Sequence, residues 1–457
     1  MSEMETDNTS NQSERLPLWA RVLKGYVRLM FNKLYYRHIF IVGKENIPSE
    51  DNAILIASNH QNCMLDPLGI LFSLGKRHAK FLTRASVFSN PTIAKLLRTI
   101  GLLPAYRLNF DGIEAVKNNE STFDTSEREL LNGQPIVIFP EGLHQHRHWL
   151  GEFSFGYTKM AFEAAALSGW EREIYILPSA NHYQHWGHMQ SDLVVSFAEP
   201  VSLKPYYELY KSKPRTAQRE VNKIVRERIS EMMLNIENQE NYESIEFLTR
   251  SYAIDYVLKN DKNPNDLRDL LWAKRRVVSE LAELQSRDAS KANAIYQQAG
   301  NIDRAIKERG FRDWLFRENP GWLNVIVSTA LLLLLLPLFV VSLVPNILIY
   351  LIPKPIVARI KDWMFSSTVN FGVSLVSMPL IYLITYLILG TSTGEWLISL
   401  IYTMLLPYMG LFAWNYKCEL KKLVGKIKYQ KCVKSKKNTD IAPQREALWA
   451  ELEKEIK

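Results

Sequence analysis

The chain has 457 residues, of which 47% are hydrophobic, 23% charged and 11% aromatic. That apolar content excludes disorder throughout, and three widely separated cysteines (Cys63, Cys418 and Cys432) exclude a disulfide-stapled secreted module. Lysine and arginine outnumber aspartate and glutamate by 56 to 48, and the net charge of +8 suits an anionic partner, either nucleic acid or a membrane surface.

Residues 1–15 are polar and read as a disordered N-terminus with no apolar signal-peptide core. Over residues 16–37, Trp19, Val22, Leu23, Tyr26, Val27, Met30, Phe31 and Leu34 recur at helical spacing between Arg21, Lys24, Arg28 and Lys33. This pattern predicts a basic amphipathic helix, either packed on a core or lying at a membrane surface.

Short apolar runs at Ala53–Ala57, Lys80–Leu82, Ile136–Phe139, Ile174–Leu177 and Leu193–Phe197 predict buried strands. Helical stretches are expected between them at Pro67–Leu74, Pro91–Ile100, Asp111–Asn119, Thr125–Asn132 and Tyr157–Ser168. The alternation makes residues 38–204 an α/β domain, a mainly parallel sheet flanked by helices, with function expected in loops at the strand ends. Residues 205–320 are rich in charge and amide and read as an all-helical linker.

The composition then changes. No charged residue occurs from Asn319 to Pro353, from Trp363 to Gly394, or from Trp396 to Tyr416. Each run exceeds the roughly 20 residues that cross a bilayer core, so residues 321–416 are expected to form a membrane anchor. Its parts are a re-entrant or transmembrane segment at 322–352 and transmembrane helices at about 366–389 and 396–416. Lys354, Arg359 and Lys361 follow the first segment, lysines crowd the tail of residues 417–457, and the turn Gly390–Glu395 has no basic residue. The positive-inside rule places the first loop and the tail in the cytoplasm. A cytoplasmic catalytic domain then requires the first segment to leave on the side it entered, with Pro337 and Pro345 interrupting it. The basic tail, directly after an apolar span, reads as contacting anionic lipid rather than nucleic acid.

Chemistry concentrates at strand ends. The Ala53–Ala57 run leads into His60, with Asp66 six residues later. An imidazole can take a proton from an alcohol, and a carboxylate can fix its tautomer, provided the chain turns between them; a helix-capping histidine is the structural alternative. Three further elements are Gly101-Leu102-Leu103-Pro104-Ala105-Tyr106-Arg107, Phe139-Pro140-Glu141-Gly142, and Pro178 at the expected end of the Ile174 strand.

Taken in order as His-x4-Asp, Gly-x-x-Pro-x-x-Arg, Phe-Pro-Glu-Gly and a late proline, these motifs resemble the glycerolipid acyltransferase family over roughly residues 38–200. That family includes the glycerol-3-phosphate and 1-acylglycerol-3-phosphate acyltransferases. The resemblance implies that His60 deprotonates an acceptor hydroxyl and that Asp66 orients His60, with no covalent acyl-enzyme. It implies that Arg107, Glu141 and Gly142 bind a phosphate-bearing acceptor, with Gly101, Pro140 and Pro178 completing the substrate site. Arginine suits phosphate by its bidentate fork, whereas Glu141 suits an acceptor hydroxyl or a brace for Arg107. No metal or cofactor is implied. The histidines His144, His146, His148, His182, His185 and His188 are read mainly as solvated or anion-facing groups, with substrate contact and a metal site as the alternatives.

The expected protein is an integral membrane O-acyltransferase of phospholipid synthesis whose catalytic domain faces the cytoplasm. Its donor is acyl-CoA or an acyl carrier protein. Its acceptor is 1-acyl-sn-glycerol-3-phosphate, with glycerol-3-phosphate as the alternative. After Gly142 the run Leu143-His144 replaces the Thr-Arg-Ser-like run of many lysophosphatidate acyltransferases, which bears on the acceptor. A thioester or lipid hydrolase and a non-catalytic membrane scaffold are the readings from other classes.

Overall fold

The computed structural model describes residues 16–106, 119–142, 146–360, 362–434 and 440–456. The chain divides into two compact units. The first comprises residues up to 145 with 150–183 and 193–232; the second comprises 146–149, 184–192 and 233 onward.

The first unit is built on an 8-stranded sheet. Its strands are β1 (Ile39–Val42), β2 (Ala53–Ser58), β3 (Lys80–Arg84), β4 (Leu102–Ala105), β5 (Ile136–Ile138), β6 (Ile174–Tyr183), β7 (Leu193–Phe197) and β8 (Val201–Ser202). They run in the order β1-β7-β6-β2-β5-β3-β4, with β8 beside β6. All pairings are parallel except β6 with β7 and β6 with β8. β2 lies in the middle and every one of its residues is buried. A strand covered on both faces needs such an unbroken apolar run.

Helices α1 (Leu18–Leu29), α2 (Leu65–Ser73), α3 (Pro91–Thr99), α4 (Asn119–Leu131), α5 (Gly156–Leu167), α6 (Tyr207–Ser212) and α7 (Pro214–Met232) complete this unit. The amphipathic stretch is helical as its spacing predicts, with Leu18, Trp19, Val22 and Leu23 exposed. Three strands escaped the sequence pattern, the shortest being the two-residue Val201–Ser202. Ile39–Val42 follows the helix without a turn signal, and Leu102–Ala105 contains Pro104. α7 falls within the stretch read as a linker, yet its Val221, Val225 and Ile229 are fully buried and it packs on β6.

The second unit is helical: α8 (Tyr242–Lys259), α9 (Leu267–Arg287), α10 (Ala289–Glu308), α11 (Trp314–Glu318), α12 (Trp322–Leu351), α13 (Pro353–Val357), α14 (Phe365–Thr393), α15 (Trp396–Lys434) and α16 (Ile441–Glu455). Asp266 and Asp288 cap α9 and α10 by accepting backbone N–H groups. α12, α14 and α15 are long and apolar enough to cross a membrane, and little of their surface is buried inside the protein. Pro337 and Pro345 do not interrupt the first of them as expected: both lie inside the unbroken α12. An apolar helix tolerates the missing N–H when neighbouring groups satisfy the backbone.

Asn346 joins all three of these helices. Its amide donates to the Leu406 carbonyl of α15 at 3.2 Å, and its carbonyl accepts from the Tyr382 hydroxyl of α14 at 2.7 Å. It is almost fully buried. Asn346→Leu is expected to lower the stability of the full chain in micelles by about 1–2 kcal/mol, in line with polar contacts between apolar helices. Equal thermal melts for wild type and variant would show that this junction contributes nothing.

Candidate active site

Parallel pairing of β2, β3, β4 and β5 brings their C-terminal ends to one edge of the sheet, where α/β folds collect their reactive groups. The chain leaves β2 at Ser58 and is held in register for one more residue by a side chain. The Asn59 amide donates to the Asn181 carbonyl at 3.1 Å and accepts the Asn181 N–H at 2.8 Å, so it continues the ladder between β2 and β6. His60 follows immediately.

The turn needed to bring His60 onto Asp66 is present. Five residues, Gln61 to Leu65, separate the pair, one more than the His-x4-Asp pattern it was matched to. The loop closes with Cys63 in the left-handed region at φ 44. Asp66 stands in the first turn of α2, fully buried, and its Oδ2 lies 2.8 Å from His60 Nδ1. The same oxygen accepts the backbone N–H groups of Gln61 at 2.8 Å and Asn62 at 2.7 Å. All three contacts present a donor to one carboxylate oxygen, which fixes both the loop and the side chain. With Nδ1–H given to Asp66, the proton-accepting lone pair of His60 is on Nε2. The His60 side chain is 13% exposed, so the ring is shielded without being sealed.

The other carboxylate oxygen is held by a residue absent from the sequence reading. The Tyr183 hydroxyl donates to Asp66 Oδ1 at 2.6 Å from the last position of β6. Burial, and then the nearby Asp66 charge, push this phenol well above its usual range, so it remains a donor. Tyr183 is a positioning residue, acting on His60 through Asp66. Its only sequence signal was a tyrosine at the end of an apolar run, indistinguishable from core packing. Tyr183→Phe is expected to lower kcat about 10- to 100-fold, the scale of one hydrogen bond to a charged group, while KM stays near wild type and stability falls by about 1–3 kcal/mol as a buried acceptor loses its donor. Steady-state kinetics beside a melting curve would check this, and a loss that merely follows the folded fraction would contradict it.

The Phe-Pro-Glu-Gly motif serves His60. The Phe139 ring stacks on the imidazole at 4.2 Å, and Glu141 accepts the His60 backbone N–H on Oε1 at 3.0 Å and the Gly151 N–H on Oε2 at 2.9 Å. Glu141 therefore braces His60 and the Gly151 segment, whereas the sequence reading has it hold an acceptor hydroxyl or brace Arg107. The Gly151 segment is braced in turn by Arg226 of α7, whose guanidinium donates to the Leu150 carbonyl at 3.0 Å. Pro140 is buried behind the turn, and Gly142 adopts φ 69 with open space where a side chain would stand.

Two expected substrate-site residues stand elsewhere. Gly101 lies at the start of β4, at the opposite end of the strand from this edge. Its φ is 94, and a Cβ there would meet the Ala79 carbonyl at 2.9 Å, so the turn itself requires glycine. Pro178 does not end a strand: β6 runs on to Tyr183. It sits where β6 leaves β8, paired through Ile176, and takes up β7, paired from Ser179. No ladder partner there needs the missing N–H, and the residue is buried in the sheet. Arg107 and His144 lie outside the described residues. Among the described residues no group of His, Cys, Asp or Glu is arranged to hold a metal.

Residues 38–181 match a family model described as Acyltransferase. Over 134 residues the chain is 35% identical to a chloroplastic 1-acyl-sn-glycerol-3-phosphate acyltransferase of Arabidopsis thaliana, covering 29% of this chain and 33% of the relative. A probable 1-acyl-sn-glycerol-3-phosphate acyltransferase of Mycoplasma pneumoniae is 25% identical over 169 residues, covering 36% of this chain and 59% of the relative. The match thus spans about a third of the plant relative's length. A solved 1-acyl-sn-glycerophosphate acyltransferase, PlsC from Thermotoga maritima, aligns with 46% of this chain and 78% of its own at 18% identity and a TM-score of 0.34. The segment 38–181, which carries the His60–Asp66 pair and its Phe-Pro-Glu-Gly brace, is the part of the chain that matches the Acyltransferase family model.

Proposed function

We propose that the chain is a membrane-anchored O-acyltransferase of phospholipid synthesis. It moves a fatty acyl group from a thioester, acyl-CoA or acyl carrier protein, to the hydroxyl of 1-acyl-sn-glycerol-3-phosphate, and the product is phosphatidate. The observation that carries this reading is the His60–Asp66 contact of 2.8 Å at a strand edge, within the segment that matches the family. The names of the curated relatives support the acceptor.

In the proposed reaction His60 Nε2 takes the proton of the acceptor hydroxyl as its oxygen attacks the thioester carbonyl carbon. The tetrahedral intermediate collapses with cleavage of the C–S bond, and the imidazolium returns its proton to the departing thiolate. Asp66 stabilises the imidazolium between these transfers. Arg107, with Gly142, would hold the acceptor phosphate, for which a guanidinium fork is suited. No side chain becomes acylated.

The anchor is the apolar set α12, α14 and α15. Lys354, just beyond α12, is close enough to Lys417 of α15 to repel it. This proximity supports a loop after α12 that shares the side of the basic tail, which the positive-inside rule makes the cytoplasmic side.

The test offers purified full chain a labelled long-chain acyl-CoA or acyl carrier protein, with lysophosphatidate and glycerol-3-phosphate in separate reactions. Phosphatidate from lysophosphatidate is the expected product. Product from glycerol-3-phosphate alone would replace the acceptor, and thioester loss independent of either would make the protein a hydrolase.

A further inference from the structure

Several segments of the second unit bring basic groups together beside the apolar helices. The Tyr350 hydroxyl donates to the Gly410 carbonyl at 2.7 Å, and the Tyr350 ring stacks with Trp414 at 6.3 Å, which fixes the end of α12 against α15. About one turn beyond these residues come Lys354 and Lys417, and the Lys417 ammonium lies over Trp414 at 5.1 Å. Lys421 stands one further turn along α15, and both Lys354 and Lys421 repel Lys417.

The loop 184–192 joins the same group. The Ser367 hydroxyl at the start of α14 donates to the Trp186 carbonyl, tying the loop down. His188 of this loop faces Lys421, Arg312 and Lys417; burial first and then these three charges lower its pKa, so it adds no charge of its own near neutrality. The nearby acid Glu419 is engaged by Lys422 at 2.7 Å. Among the described residues, Arg312, Lys354, Lys417 and Lys421 form no salt bridge to an acid, and no carboxylate is among the groups that act on His188 or Lys417, which is opposed only by the thiol of its neighbour Cys418.

Lys354 and Lys421 repel Lys417, Arg312 adds its charge beside His188, and an anion seated among these groups relieves that repulsion. Their position selects the anion. The uncharged run Trp396–Tyr416 ends immediately before Lys417, with Trp414 and Tyr350 at the same level. Aromatic rings and cations at the end of an apolar helix mark the headgroup layer of a bilayer.

We propose that Arg312, Lys354, Lys417 and Lys421 form a binding site for the phosphate headgroup of an anionic membrane phospholipid. The proposal rests on the membrane-anchor reading of α12, α14 and α15 and not on the acyl-transfer chemistry. The site holds one lipid at a defined place, in contrast to the diffuse attraction of a basic tail.

Full-length protein in nanodiscs of phosphatidylcholine containing a minority of phosphatidylglycerol would be released into a mass spectrometer and its retained lipids counted. Wild type is expected to retain phosphatidylglycerol over phosphatidylcholine. The triple variant Lys354→Gln/Lys417→Gln/Lys421→Gln is expected to lose that preference by ~10-fold or more, whereas Lys354→Arg/Lys417→Arg/Lys421→Arg keeps it. Lys422→Gln/Lys428→Gln/Lys431→Gln removes the same charge from the same helix and is expected to retain the preference. Equal loss in this control would overturn the site in favour of a diffuse basic surface. So would the absence of any preference in wild type, or displacement of the lipid by excess inorganic phosphate. Wild type that fails to enter nanodiscs would overturn the anchor reading, and the site with it.

Discussion

His60→Ala is expected to lower kcat for acyl transfer by about 10²–10⁴-fold, the contribution of a positioned general base. The neutral acceptor hydroxyl is a weak nucleophile, and no other described side chain at this edge stands where His60 does. The imidazole is placed from several directions: Asn59 pins the backbone before it, Glu141 holds its N–H, Phe139 covers one face, and Asp66 fixes the ring. Removing the ring leaves these supports in place, so the variant should fold and retain KM within a few-fold. Substrate turnover by wild type and variant, compared at equal folded concentration, reads the effect directly. A loss of less than about 10-fold would mean that proton removal by this group is not limiting.

Asp66→Asn should reduce kcat on the same scale, about 10²–10⁴-fold, with little change in the fold. The amide is nearly isosteric with the carboxylate. Its oxygen can keep the Oδ2 contacts with His60, Gln61 and Asn62, and its NH2 can turn to Tyr183, whose hydroxyl can accept as well as donate. What disappears is the negative charge beside the imidazolium that forms during reaction. Because His60 and Asp66 act as a unit, the double variant should be no slower than His60→Ala alone. A multiplicative loss in the double variant would show that Asp66 works independently of the base.

The strands whose runs are continuous and β-branched were legible from sequence, because burial on both faces leaves no polar positions to confuse the pattern. β2 and β7 are the clearest cases. β4 was hidden by Pro104, and β6 was cut short at Pro178 because proline reads as punctuation even where a change of pairing partner makes it harmless. The prolines of α12 misled for a related reason, since the rule that proline breaks helices carries less force in an apolar bundle.

At the site, His60 and Asp66 were readable from residue type and strand-end position. The brace was not. Glu141 was assigned to substrate because a carboxylate in a motif invites a chemical role, and only the geometry shows both oxygens accepting backbone N–H groups. Asn59, Tyr183 and Arg226 act through contacts across 122, 117 and 76 residues of chain, which no local pattern encodes.

The central claim is that the dyad activates an acceptor hydroxyl for direct attack on the donor thioester. Release of CoA thiol from acyl-CoA, followed in purified full chain with and without lysophosphatidate, tests it most directly. Dependence of that release on the acceptor, with one phosphatidate formed per thiol and no acyl mass added to the protein, is the predicted result. Thiol release at the same rate without acceptor, or an acylated protein accumulating before lysophosphatidate is added, would contradict it.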